Sequence, residues 1–219
     1  MAEHELPLDA RFLHGYFSQE LEPVLEVDPG DSVRISVPNH AWHIDPERQV
    51  VSRSPELDTG HPLAGPIAVR GARAGQTLAV RVDEVLTKAW GITHGGEGHA
   101  VLWELSDGIG RALGREVELA PFLGVLGMPP PEPGAHSTIP PRRSGGNIDC
   151  KELVAGTVLY LPISIDGAHI SAGDGHAAQG DGELSGTAIE CYIERAQLTF
   201  DLADLQLRTP VARAPRAWI

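Results

Sequence analysis

Glycine and proline set the first limit on what this chain can fold into. Its 219 residues include 25 glycines and 18 prolines, spread between short apolar runs rather than gathered in one tract. Proline lacks an N–H and clashes with the preceding helical turn, and glycine costs about 1 kcal/mol in a helix interior. A chain interrupted this often has little room for long helices and reads as short strands joined by turns. The strand candidates are residues 24–27, 33–37, 78–86, 157–163, 187–193 and 198–202. Leu78, Val80 and Val82 alternate with Ala79, Arg81 and Asp83, and Leu198, Phe200 and Leu202 repeat the alternation. Each run therefore has one buried face and one wet face. Asp28-Pro29-Gly30-Asp31 is a turn between two such runs.

The expected fold is mainly β, a sandwich or barrel-like arrangement with long Gly/Pro-rich loops and little helix. The best helix candidate is 101–113, weakened by Gly108 and Gly110. A single domain over 1–219 is expected, with one candidate sub-boundary near 125–145. Residues 128–147 form the longest irregular stretch, and loops of that length in compact chains are usually functional or disordered. Residues 208–219 read as a strand that decays into a tail.

Charge narrows the partners. The chain carries 17 basic and 30 acidic residues, a net charge of −13, and its only lysines are Lys88 and Lys151. No basic stripe is present to meet a phosphate backbone or an anionic membrane. Aromatic residues are 5% of the chain, too few for a stacking platform for nucleic acid. The start is acidic and lacks a signal pattern, and no apolar run approaches the 18 or so residues of a membrane span. With only Cys150 and Cys191, a reduced, soluble, cytoplasmic protein is expected.

Two segments concentrate polar side chains. Residues 173–183 (Gly-Asp-Gly-His-Ala-Ala-Gln-Gly-Asp-Gly-Glu) hold three carboxylates, one imidazole and four glycines. Apolar flanks at 163–170 and 184–193 suggest a loop held in the interior. Asp174 and His176, two apart, share a face of an extended backbone, and carboxylate with imidazole suits a divalent metal. The plainer alternative is a solvated surface loop. The second segment, 140–150, carries Asn147 and Asp149, again two apart; the alternative is a turn in which both cap their own backbone. His40 and His43, and the run His94-Gly-Gly-Glu97-Gly-His99, contain ligand types but match no zinc-finger or HExxH spacing. His14 reads as a partly buried histidine before the first strand. There is no G-x-S-x-G elbow, P-loop or dinucleotide fingerprint. Cys150-Lys151-Glu152 has the residue types of a thiol amidase, but adjacent side chains do not face one another, so Cys150 reads as a small core residue.

Three segments together resemble the acetamidase/formamidase family. The first is Leu-Glu-Pro-Val-Leu-Glu-Val-Asp-Pro-Gly-Asp-Ser-Val at 21–33. The second is residues 61–80, with Gly65-Pro66-Ile67 and Gly71-Ala72. The third joins Gly145-Gly146-Asn147-Ile148-Asp149 to residues 173–183 and to Gly186-Thr187-Ala188-Ile189-Glu190. The resemblance runs in order from about residue 10 to about residue 195. It implies a β-sandwich or barrel-like fold and hydrolysis of a small linear amide, formamide-like or acetamide-like, to a carboxylate and ammonia. With the residue chemistry above, it implies a divalent metal, zinc ahead of calcium or another cation, held by Asp149 and His176 with Asp174 as third ligand. Glu183 would move the proton, with Asp174 beside it in the catalytic set. Asn147 and Gln179 would orient the substrate amide, His14 would close the site, and Glu190 would be a supporting or wet strand position. Family members are longer, residues 37–63 depart from the pattern, and Gln76 stands where an acidic residue is usual. A homodimer that completes the site is therefore expected. The competing readings are a hydrolase or lyase acting on a carbamate, urea or cyclic amide, and a non-catalytic β domain that binds a metal or small ligand.

Overall fold

The structure, a computed structural model, describes residues 1–95 and 98–219. Among the described residues, fifteen strands join in one hydrogen-bonded sheet system. In chain order they are β1 (Glu3–Leu6), β2 (Leu13–His14), β3 (Leu25–Val27), β4 (Ser32–Val37), β5 (Leu63–Val69), β6 (Thr77–His94), β7 (Ala100–Ser106) and β8 (Ile109–Ala112). They continue with β9 (Arg115–Glu118), β10 (Phe122–Gly127), β11 (Gly145–Asn147), β12 (Val158–Pro162), β13 (Ile170–Gln179), β14 (Ala188–Ala203) and β15 (Val211–Arg213). The main path runs β11-β10-β13-β14-β6-β7-β8-β9. β5 also pairs with β13, and β4 with β14, both antiparallel. Helix among the described residues is limited to short 3-10 turns such as Ala10–Phe12 and Asp181–Glu183, so the mainly-β expectation holds. None of their helices is long and apolar enough to cross a membrane.

The alternating runs form the core as their pattern requires. Leu78, Val80 and Val82 stand opposite Leu202, Phe200 and Leu198 across β6 and β14, and all but Leu202 are buried. One buried apolar cluster takes in residues from Leu6 to Ala212. Removing such surfaces from water is the main force holding the sheets together.

Three readings of the sequence are corrected. Residues 101–113 are not helical but form β7 and β8, joined through Asp107 and Gly108 at φ 52° and 74°. Two consecutive left-handed residues fit the twist of a tight hairpin, and Asp-Gly is a strong signal for it. Residues 173–179 are strand, not loop. Gly173 and Gly175 serve close approach there: a Cβ on Gly173 would strike the Pro62 carbonyl, and one on Gly175 would strike Ile193. The C-terminal tail does not trail away. Ala212 and Ile219 exchange backbone hydrogen bonds, and Trp218 stacks on Tyr160 at 6.2 Å between ring centroids.

Candidate active site

β13, buried along most of its length, carries Asp174 and His176. β14 runs antiparallel to it and places Glu190 directly across from His176. On the other side, β10 pairs with both β13 and β11. That pairing brings Asn147, at the end of β11, and Asp149 just beyond it toward the same point. The turn between β13 and β14 delivers Glu183. These four segments enclose a cavity of about 240 Å³. Asn147, Asp149, Asp174, Glu183 and Glu190 line it, as do three histidines, His40, His61 and His94.

The geometry centres on His176. Its Nε2 lies 3.4 Å from Asp174 Oδ2 and 3.3 Å from Glu190 Oε1. Its ring meets Phe122 edge-to-face at 5.1 Å. His40 Nδ1 approaches the other Glu190 oxygen at 3.2 Å, without hydrogen-bond alignment. His40 in turn packs edge-to-face on His94 at 5.0 Å. Gly124 of β10 lies beneath the carboxylates. A Cβ there would sit 2.5 Å from both Asp149 Oδ1 and Asp174 Oδ2, so glycine is what leaves room for the pair. Asp149, Asp174 and Glu183 all have left-handed backbones, at φ 46°, 58° and 46°. Such residues cost of order 1–3 kcal/mol each and cluster at functional sites.

Charge and burial push the titrating groups apart. Burial, reinforced by the Asp174 charge, raises the Asp149 carboxyl to about 7. Burial likewise raises Glu183. Burial opposes a charge on His176, but Asp174 and Glu190 overcome it and hold its pKa well above the ordinary value. Burial also opposes ionisation of Glu190, yet His176 and His40 bring it down to about 2. Carboxyls with opposite tendencies in one cavity are the usual basis for separate acid and base roles.

Six buried side-chain polar atoms lack a hydrogen-bond partner among the described residues, and five of them belong to residues lining this cavity. They are His40 Nδ1, Asn147 Oδ1, Asp149 Oδ1, Asp174 Oδ1 and Glu190 Oε2. Buried polar atoms are almost always satisfied, and leaving one unpaired costs free energy. Two triads have potential ligand atoms within 4.8 Å of one another: Asp149, Asp174 and His176, and His176, Glu183 and Glu190. Carboxylate oxygens with an imidazole nitrogen make a donor set that fits a divalent cation.

Of the seven residues singled out from sequence, Asn147, Asp149, Asp174 and Glu183 thus line the cavity, and His176 is buried against two of its carboxylates. Gln179 stands behind them, with both ends of its amide engaged within the protein. His14 is not brought to the cavity. Its Nδ1 lies 2.6 Å from the Tyr16 carbonyl and its Nε2 2.9 Å from Ser171 Oγ, so Nδ1 donates to the carbonyl. Sequence reasoning undervalued Glu190 and left His40, His61 and His94 unplaced. A glutamate set in the apolar run Ala188-Ile189-Glu190-Cys191 was the available signal for the first. His43 and His99 do not line the cavity, and Glu97 lies outside the described residues. Cys150 Sγ sits 3.3 Å from Glu152 Oε2, away from the lining.

Burial, which outweighs the opposing pull of the Tyr16 carbonyl and the Asp58 charge, holds His14 at a pKa of about 4, below the ordinary 6.5. Between those values the unfolded chain takes up the proton and the native state does not, so stability rises with pH there. It is fully present above pH 6.5 and falls by about 3 kcal/mol as pH drops to 4. Denaturant midpoints across this window should slope less in His14→Gln than in the parent chain; equal slopes would contradict the neutral buried ring.

The model of the acetamidase/formamidase family matches residues 3–113 and 131–210. The chain belongs to the acetamidase/formamidase family. Its two matched blocks bracket β10, the strand that carries Gly124. The family's acetamidase from Mycolicibacterium smegmatis is 46% identical over 48 residues, which is 22% of this chain and 12% of that protein's length. The crystal structure of acetamidase from Yersinia enterocolitica superposes with a TM-score of 0.84 at 26% identity, covering 97% of this chain and 72% of the other. A predicted acetamidase/formamidase from Thermoanaerobacter tengcongensis gives the same TM-score and identity, covering 98% of this chain and 75% of its own. This acetamidase/formamidase chain thus spans about three quarters of the length of those two structures.

Proposed function

We propose that the chain hydrolyses small linear amides, formamide-like or acetamide-like, to a carboxylate and ammonia in the cavity around His176. The observation that carries this reading is the set of five unpartnered buried polar atoms on residues that line one small, acid-lined space. Family membership supports the reaction class. The cavity, about 240 Å³, falls below the roughly 300–1,000 Å³ of pockets for drug-sized ligands, which suits a small substrate.

Asp149, Asp174 and His176 are the residues proposed to hold a divalent cation, with zinc favoured by their chemistry. Such a cation polarises a carbonyl and brings the pKa of a bound water toward 7. The protein's own groups supply the rest. Glu183, half-buried and with its carboxyl raised by burial, takes a proton from the attacking water and returns it to the departing nitrogen. The return matters because an amide nitrogen leaves only once protonated. Asn147 presents an unpartnered Oδ1 that can accept a substrate N–H and fix the amide's orientation. Glu190, ionised between His176 and His40, keeps both rings in place. The same proposal takes the enzyme as cytoplasmic, supported by two free cysteines. It also takes it as a homodimer, supported by Leu184, 82% exposed beside Glu183.

Glu183→Gln keeps the shape and removes the proton carrier. Ammonia release should fall about a hundredfold with an unchanged circular dichroism spectrum. Wild-type release in this variant would take Glu183 out of the reaction.

A further inference from the structure

Gln179 holds a place that a regular strand would not give it. Residues three apart on an extended backbone point to opposite faces, so Gln179 should turn away from His176. The pairing of β13 with β14 explains why it does not. His176 stands opposite Glu190, Ala178 opposite Ile189 and Gln179 opposite Ala188, with a break in register between His176 and Ala178. Ala177 is therefore one residue too many, a β-bulge. It shifts the alternation by one and turns Gln179 back onto the His176 face. Bulges re-aim side chains in this way next to functional sites. This one is pinned: Ala177 is fully buried, and its carbonyl accepts a hydrogen bond from the Ala120 N–H at 3.0 Å.

The re-aimed amide makes two bonds. Its Nε2 donates to the Asp149 carbonyl at 2.7 Å. A carbonyl can only accept, so the amide's orientation is fixed, and its Oε1 must be the atom facing His176 Nδ1 at 2.8 Å. An amide oxygen also only accepts, so His176 Nδ1 carries a hydrogen. That leaves His176 Nε2 as the nitrogen presented to Asp174 and Glu190. The bond to the Asp149 carbonyl ties that residue's left-handed backbone to the same side chain.

The geometry points to Gln179 as a positioning residue, aimed by the Ala177 bulge, that sets which nitrogen of His176 faces Asp174 and Glu190 and locks the Asp149 segment to it. This differs from a role in binding substrate, since Gln179 does not line the cavity and its amide bonds within the protein at both ends. Partners of this kind typically change metal affinity or activity 10- to 100-fold when removed. Its functional consequence rests on the amidase reading, but its structural content does not.

The test uses the full chain, nitrogen-15-labelled and metal-free, with Gln179→Met and Gln179→Glu. In the parent, the His176 Nδ1–H should give a downfield signal protected from exchange. Gln179→Met should lose it while the amide spectrum stays folded, and Gln179→Glu, which keeps an acceptor, should restore it. Titrated with cobalt(II) alone, Gln179→Met should bind 10- to 100-fold more weakly than the parent. In ammonia release its kcat should fall while KM holds. A protected Nδ1–H that persists in Gln179→Met overturns the assignment, as does a rise confined to KM. A parent that shows the signal and binds cobalt but releases no ammonia upholds the positioning role and overturns the amidase reading.

Discussion

Gly124→Ala is expected to lower amide hydrolysis by three orders of magnitude or more while leaving a folded protein. The added methyl would lie 2.5 Å from Asp149 Oδ1 and from Asp174 Oδ2, inside van der Waals contact with both proposed ligands. Each carboxylate must swing away, and a displacement of about 1 Å at a reacting centre already costs about 100-fold. Two displaced groups compound the loss. The strand itself can survive, because β10 keeps its pairing with β13 and β11. Ammonia release beside a thermal melt checks the point. An active Gly124→Ala enzyme would mean that the two carboxylates are not held together by the reaction.

Asp149→Asn should separate activity from stability in opposite directions. In metal-free protein the Asp149 carboxyl is raised to about 7, by burial first and the Asp174 charge second. The native state then holds a proton that the unfolded chain releases near pH 3.8, so stability declines as pH rises from 3.8 to 7 and levels off above. The full shift would be worth about 4 kcal/mol, and discounting it for the side chain's partial exposure leaves about 2 kcal/mol. Asparagine removes that cost. With chelator present, the variant should be more stable than the parent by about 2 kcal/mol at pH 8 and equal to it at pH 4, while its hydrolysis is lost. A stabilised but inactive protein is the usual signature of a site that trades stability for function. Equal stability at both pH values would show that Asp149 carries no such strain.

Parts of this molecule can be read directly from its sequence. The two-residue alternation of Leu78, Val80 and Val82 and of Leu198, Phe200 and Leu202 marks facing core strands, because successive side chains of a strand point to opposite faces of its sheet. Asp174 and His176 could be paired because a spacing of two puts both on one face of an extended backbone, whereas Asp149 joined them only through the resemblance to the acetamidase/formamidase family. Three features lie beyond local pattern. The span 101–113 has apolar spacing compatible with a helix, and only the Asp107-Gly108 pair betrays the hairpin. Glu190 and His40 gain their roles from each other across 150 residues of chain, a contact that no short stretch of sequence encodes. Gln179 depends on a single inserted residue, Ala177, whose effect on side-chain direction emerges only once β13 is paired with β14.

The central claim is an amidase whose cavity carboxylates and His176 hold a divalent cation. One measurement reaches it most directly: ammonia release from formamide and acetamide by the purified chain, before chelation, after it, and after zinc is restored. The account predicts release that falls to the protein-free rate on chelation and returns with zinc. Release that persists in fully metal-free protein would contradict the cation assignment, and no release under any of the three conditions would contradict the amidase itself.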